Sequence, residues 1–202
     1  MCIRDRHYWN EAMLRRFLER IGGRQIVVVD EAYAEFVQQD DYPDGLRLIE
    51  EYPHLVVFRT FSKMYALAGL RIGYLAGDPE VVDIIRRTCV VYSVNAVAQE
   101  AALAALGDSE HIHRTRDMVR QGKAFLRREL EGLGLQPLLG EGNFLMVKLP
   151  MSDSLAYRKL MTQGVMVRTM TGFRFPNFIR VTISHMEVME AFVEALAKVL
   201  PR

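Results

Sequence analysis

Residues 59–74, RTFSKMYALAGLRIGY, set a lysine, Lys63, beside two hydroxyls, Thr60 and Ser62, with an arginine, Arg71, eight positions on. The aliphatic stretch 55–58 just before it reads as a buried strand that delivers this cluster at its carboxyl end. Upstream, residues 25–29 are a continuous aliphatic run, as expected of a strand buried on both faces of a parallel sheet; it ends in Asp30, with Tyr33 three residues later. Both clusters therefore emerge from one edge of one sheet. Ligands in open α/β sheets bind at the carboxyl ends of the strands.

An amine, two hydroxyls, a guanidinium, an acid and a phenol are together the complement that pyridoxal phosphate requires. A lysine forms an imine with the cofactor aldehyde, and a substrate amine displaces it. A carboxylate such as Asp30 beside the pyridine nitrogen keeps that nitrogen protonated, because an opposite charge favours the charged form. Tyr33 can donate a hydrogen bond to the ring's phenolate oxygen. Arg71 can grip phosphate oxygens through two parallel bonds, which a lysine cannot do.

Each residue also has a plainer reading. Lys63 can be a solvated charge, Arg71 the partner of a sheet-end acid, and Asp30 a turn acid. Asp30-Glu31 after four aliphatics also matches the magnesium-holding strand end of a nucleotide hydrolase. That reading needs a phosphate loop, and Gly122-Lys123 is followed by Ala124 in a helical stretch instead. The acid and lysine segments taken together favour the pyridoxal phosphate reading.

The chain has 202 residues, half of them hydrophobic and a quarter charged, enough for one large domain or two small ones with ample core. A formal net charge of +1 implies no nucleic-acid or membrane partner. No apolar run approaches the roughly 20 residues of a membrane helix. Two cysteines, Cys2 and Cys89, make no disulfide framework, which points to a reducing, cytoplasmic setting; Cys89, in an apolar helical stretch, is expected to be a buried thiol. His111 and His113 do not share a helix face, no third ligand has metal spacing, and both are expected at the surface. His54 and His185 read as loop or cap residues, and Met161, Met166, Met170, Met186 and Met189 as packing residues.

Helical spacing runs over 9–21, with Gly22-Gly23 as its stop. A polar loop over 38–45 and a short strand over 71–75 follow. Asp78-Pro79 caps a helix expected to reach residue 90, and 94–106 is alanine-rich and helical. A long polar helix over 109–133 is placed to lead to a second domain. Beyond it the elements shorten: strands over 143–149, 165–168 and 178–184, and helices over 152–163 and 187–200.

Five stretches in order, VVVDEAYAEF, RTFSKMYALAGLRIGY, YSVNAVAQEAALAAL, GNFLMVKL and FIRVTIS, resemble the class I/II aminotransferases of fold type I, and more closely the histidinol-phosphate aminotransferases. The resemblance implies an α/β fold: the C-terminal part of a large pyridoxal-phosphate-binding domain with a mostly parallel sheet over 1–106, then a smaller α+β domain over 107–202. It implies that Lys63 is catalytic, and that Asp30, Tyr33, Thr60, Ser62 and Arg71 join it in holding the cofactor. Arg180 matches the arginine that holds the substrate carboxylate, Arg168 one that reaches the phosphate end of the substrate, and Asn143 a residue near the domain junction whose role is open. The implied reaction passes an amino group from a small-molecule donor, histidinol phosphate, to a keto-acid acceptor, 2-oxoglutarate, in histidine biosynthesis. Aromatic amino-acid aminotransferase, threonine-phosphate decarboxylase and inactive fragment stay open as alternatives. The family's N-terminal part, with its ring-stacking aromatic residue, has no counterpart, and residues 1–6 read as an adventitious leader. The expectation is a homodimer at full length, and a poorly soluble, inactive chain when these residues are expressed alone.

Overall fold

A computed structural model describes residues 8–201. The expected leader, 1–6, and Cys2 lie outside them. The chain divides into two compact units, residues 1–113 and 114–202.

The first unit begins with helix α1, Glu11–Ile21. Asn10 caps it by accepting from the Met13 N–H at 3.0 Å, and Gly22 closes it in the left-handed region at φ 58°, where glycine carries no Cβ penalty. Leu14 and Leu18 of α1 pack on Val29, Leu48, Leu55 and Val57. Strand β1, Val27–Asp30, runs parallel to β2, Leu55–Thr60, with Asp30 opposite Phe58. The one-turn helix α2, Gly45–Leu48, falls between them and opens at the end of the expected polar loop. Strand β3, Gly73–Gly77, then pairs antiparallel to β2, so the sheet order is β1-β2-β3.

The two parallel strands are not equally covered. Leu55, Val56 and Val57 of β2 are fully buried, but Val28 of β1 is 49% exposed and Ile26 before it 52%. The expected two-sided burial of 25–29 is thus corrected to one side: the face carrying Val29 meets α1, and the face carrying Val28 is open at β1, although Val56 on the same face of β2 is buried.

Asp78 caps α3, Pro79–Arg86, by accepting from the Glu80 N–H at 2.9 Å. The helix stops at Arg86 rather than 90, and Cys89 lies beyond it, exposed rather than buried. Asn95 caps α4, Ala96–Gly107. Helix α5, Ser109–Gly132, contains the boundary between the units just past its first turn.

The second unit holds a sheet of order β4-β5-β7-β6, antiparallel throughout: β4 Pro137–Leu139, β5 Phe144–Lys148, β6 Arg168–Thr169 and β7 Phe178–Thr182. Helices α6, Asp153–Met161, and α7, Met186–Val199, complete it. Its core holds Leu126, Leu130, Leu145, Leu160, Ile179, Phe192 and Leu196. Gly122 lets α5 approach β7 closely, since a Cβ there would lie 2.5 Å from Ile183 Cγ2. Of the five methionines expected to pack this unit, Met170 and Met189 do; Met161, Met166 and Met186 are exposed.

Candidate active site

The parallel register fixes where the first cluster opens. Because Asp30 pairs with Phe58, the chain leaves both strands at the same sheet edge. There, Asp30, Thr60, Ser62, Lys63 and Arg71 line one cleft of about 580 Å³. Asp30 is held by a tight local turn in which its Oδ1 accepts the Ala32 N–H at 3.0 Å. The Thr60 hydroxyl oxygen accepts the Ser62 N–H at 3.1 Å in a similar turn.

Burial of alternate side chains aims the next residues outward. Phe61 and Met64 sink into the core at 6% and 0% exposure, leaving Ser62 partly open and Lys63 exposed on the cleft side. The loop from Lys63 to Arg71 turns back on itself: Ala66 N–H bonds the Lys63 carbonyl at 3.2 Å, and Leu67 N–H the Phe61 carbonyl at 3.0 Å. Ala66 and Arg71 both sit at positive φ, 57° and 55°, a conformation that costs non-glycine residues and tends to collect at functional sites. Arg71 donates one Nη1 bond to the Ala68 carbonyl at 2.7 Å, which orients the guanidinium and keeps further donors for a ligand. The Tyr33 ring lies outside the cleft lining, but its centroid is 5.6 Å from Lys63 Nζ.

Four side chains at this cluster, Glu31, Arg59, Tyr42 and His111, carried no role here in the sequence. Glu31 is fully buried and accepts from Arg59 Nε at 3.0 Å and Nη2 at 2.8 Å. Burial pushes the Glu31 carboxyl up, against the downward pull of Arg59. Tyr42 is raised by the same burial and by the Glu31 charge. His111, expected at the surface, is half-buried, and its Nε2 lies 2.9 Å from the carbonyl of Met64, the residue after Lys63. Acid and arginine stand directly beside the residues that carry the motif, so their adjacency was the available signal for Glu31 and Arg59. The histidine's contact spans 47 positions and left none.

Arg168 and Arg180 lie in the second unit, opposite each other across β6 and β7, and line a cavity of about 700 Å³. Like charges placed directly opposite repel, so the pairing suits an anionic ligand. Arg180 stacks 4.9 Å over the Phe144 ring, Arg168 5.4 Å over Phe173, and Arg180 Nε is buried with no partner among the described residues. Asn143 joins β5 to the end of β7 through its carbonyl, which accepts the Ile183 N–H at 2.8 Å.

Among the described residues no cluster of histidine, cysteine or acids could hold a metal, and no helix is long and apolar enough to cross a membrane.

Known proteins share both sequence and fold with this chain. Histidinol-phosphate aminotransferase 1 of Cupriavidus pinatubonensis is 41% identical over 192 residues, 94% of this chain and 51% of the relative. The chain thus spans about half the length of the curated relatives it matches. The structure of histidinol-phosphate aminotransferase from Sinorhizobium meliloti in complex with pyridoxal-5'-phosphate superposes with a TM-score of 0.83 at 26% identity, over 96% of this chain and 54% of that one. A putative histidinol-phosphate aminotransferase from Erwinia carotovora atroseptica gives 0.88 at 24% identity, over 96% and 56%, a likeness of fold. The fold is that of part of a fold type I transferase. Residues 8–196 match the family described as Aminotransferase class I and II, and the chain belongs to that family.

Proposed function

We propose that the protein to which this chain belongs transfers an amino group with pyridoxal phosphate, taking histidinol phosphate as donor and 2-oxoglutarate as acceptor. The observation that carries the reading is the joint lining of one cleft by Asp30, Thr60, Ser62, Lys63 and Arg71 at the carboxyl end of a parallel strand pair. The donor set fits the cofactor: a carboxylate, an amine, two hydroxyls and a guanidinium converge in a space of suitable size.

When bound, the cofactor supplies an electron sink conjugated to the substrate nitrogen. Every other duty falls to residues of the chain. Asp30 holds a proton on the pyridine nitrogen by opposite charge. Tyr33 donates to the phenolate oxygen. Thr60, Ser62 and Arg71 bind the phosphate, the guanidinium by paired bonds. Lys63 would hold the cofactor at rest and take and return the proton at substrate Cα. Arg180 binds the carboxylate of the keto-acid acceptor and Arg168 the phosphate end of the donor. Family likeness supports these roles, as does the facing pair Arg168 and Arg180 on one cavity. The same likeness supports a homodimer.

Borohydride reduction of the full natural chain with cofactor tests the reading. A pyridoxyl mass on the peptide containing Lys63 is expected, and a label on any other lysine removes Lys63 from the role. Arg168→Ala should penalise phosphorylated donors about tenfold or more over unphosphorylated ones. An equal effect on all donors would remove the histidinol phosphate assignment's local support.

A further inference from the structure

Glu31 and Arg59 form a largely buried ion pair at the edge that carries the cleft. The Glu31 side chain is 0% exposed and Arg59 18%. Both Arg59 bonds, from Nε and Nη2, go to Glu31 Oε2, and Oε1 accepts the Gly45 N–H at 3.2 Å. A second contact runs from Arg59 Nη2 to Asp44 Oδ1 at 3.4 Å. The carboxylate is packed so closely that a Cβ on Gly45 would lie 2.4 Å from Oε1. One carboxylate thus binds the end of β2 and the start of α2 at once.

The pair's position in the chain gives it a consequence. Glu31 directly follows Asp30 at the end of β1, and Arg59 directly precedes Thr60 at the end of β2. The Glu31 N–H also bonds the Phe58 carbonyl at 2.8 Å, carrying the strand pairing one residue past Asp30. Arg59 itself lines the cleft. A buried ion pair gives little net stability over apolar residues of similar size, because taking two charges out of water offsets their attraction. What an apolar pair cannot supply is a fixed donor and acceptor geometry.

We infer that Glu31 and Arg59 are positioning residues that lock the carboxyl ends of β1 and β2 together, so that Asp30 and Thr60 act on one bound cofactor. The inference rests on the cofactor reading above. It predicts that cofactor affinity depends on the geometry of the pair and not only on the packing around it.

Three variants of the full natural chain separate position from packing: Arg59→Lys, Glu31→Gln, and the double variant Glu31→Leu with Arg59→Met. Two quantities are read: thermal midpoint without cofactor, and pyridoxal phosphate affinity from visible absorbance. Arg59→Lys keeps the charge but loses the planar fork, and should weaken cofactor binding about tenfold with little change in midpoint. Glu31→Gln should lower both, because it leaves a guanidinium without its charge partner. The double variant should regain the midpoint but not the affinity. If it regains both, or if Arg59→Lys binds cofactor within about twofold of the parent, the pair is mere packing and the inference is overturned. A parent chain that binds no cofactor overturns the functional reading and this inference with it.

Discussion

The two sheets of this protein are built from similar residues and finished differently. In the second unit, Leu145, Met146 and Val147 of β5 are all within 3% of full burial. In the first, β1 is as aliphatic as β5, yet Val28 is half exposed, and Phe58 on the same face of β2 is 39% exposed. The first sheet carries the Lys63 cleft and the strained loop beside a core on one face; the second buries consecutive residues of β5, and so both faces of that strand. The difference teaches that an aliphatic run records the burial a strand is suited to, while its partners decide how much it receives.

The comparison breaks first on function. Lys63→Ala should lower turnover of the full natural chain by about a thousandfold or more, since covalent and proton-transfer roles vanish together. Its unfolding midpoint should hardly move, because Lys63 is exposed and its neighbours Phe61 and Met64 do the packing. Thermal unfolding beside a turnover assay checks this. A large stability loss would mean that the cleft loop and the first core are one structure.

Leu145→Ala probes the better-covered sheet. The residue is fully buried in β5, opposite Val181 of β7 and Leu139 of β4. Removing it should cost about 2–5 kcal/mol, read from urea unfolding. A loss below about 1 kcal/mol would show that this core collapses around the gap and is looser than its burial implies.

Asp153 sharpens the comparison through pH. Its Oδ2 accepts the Met170 and Thr171 N–H groups, both at 2.8 Å, and its Oδ1 the Thr171 hydroxyl at 2.6 Å. Burial alone would push this carboxyl up, but the Thr171 hydroxyl and the amides of Thr171 and Met170 bring it below its ordinary value of 3.8. A carboxyl lowered in the folded state stabilises fully above the unfolded value, and its contribution fades as pH falls through the folded one. Asp153→Asn should therefore cost about 1–2 kcal/mol at neutral pH. The gap from the parent should close below about pH 4. A gap that stays constant with pH would show that the Asp153 charge contributes nothing.

Much of this was legible in the sequence because the deciding signals are local. The stop at Gly22, Asp78-Pro79 and the lysine segment each act within a few residues of themselves. So the order of elements and the shared sheet edge of Asp30 and Lys63 could be read directly. What escaped depends on distant partners. Strand β4 is three residues long, too short to show a period, and exists because β5 pairs with it. The strand expected at 165–168 is Arg168–Thr169 instead, since only those residues meet β7. Cys89 lies in an apolar stretch, but the helix ends before it and no core reaches it. The contact of His111 with Met64 needs a tertiary approach that no spacing rule encodes.

The smallest expected effect is the sharpest test of the uneven first sheet. Val28 and Val56 are direct neighbours across β1 and β2, and Val57 is the next residue along. Val28→Thr keeps the branched Cβ that suits a strand and puts its hydroxyl where half the residue already meets solvent, so stability should change by no more than about 0.5 kcal/mol. Val57→Thr makes the same chemical change at a fully buried site facing Leu14 and Leu18, and should cost about 1–3 kcal/mol, because a hydroxyl is buried there without a partner. Urea unfolding of the two variants side by side measures the ratio. Equal, large losses would mean that the Val28 face is covered in solution, and the contrast between the two sheets would then belong to these residues in isolation and not to the protein at work.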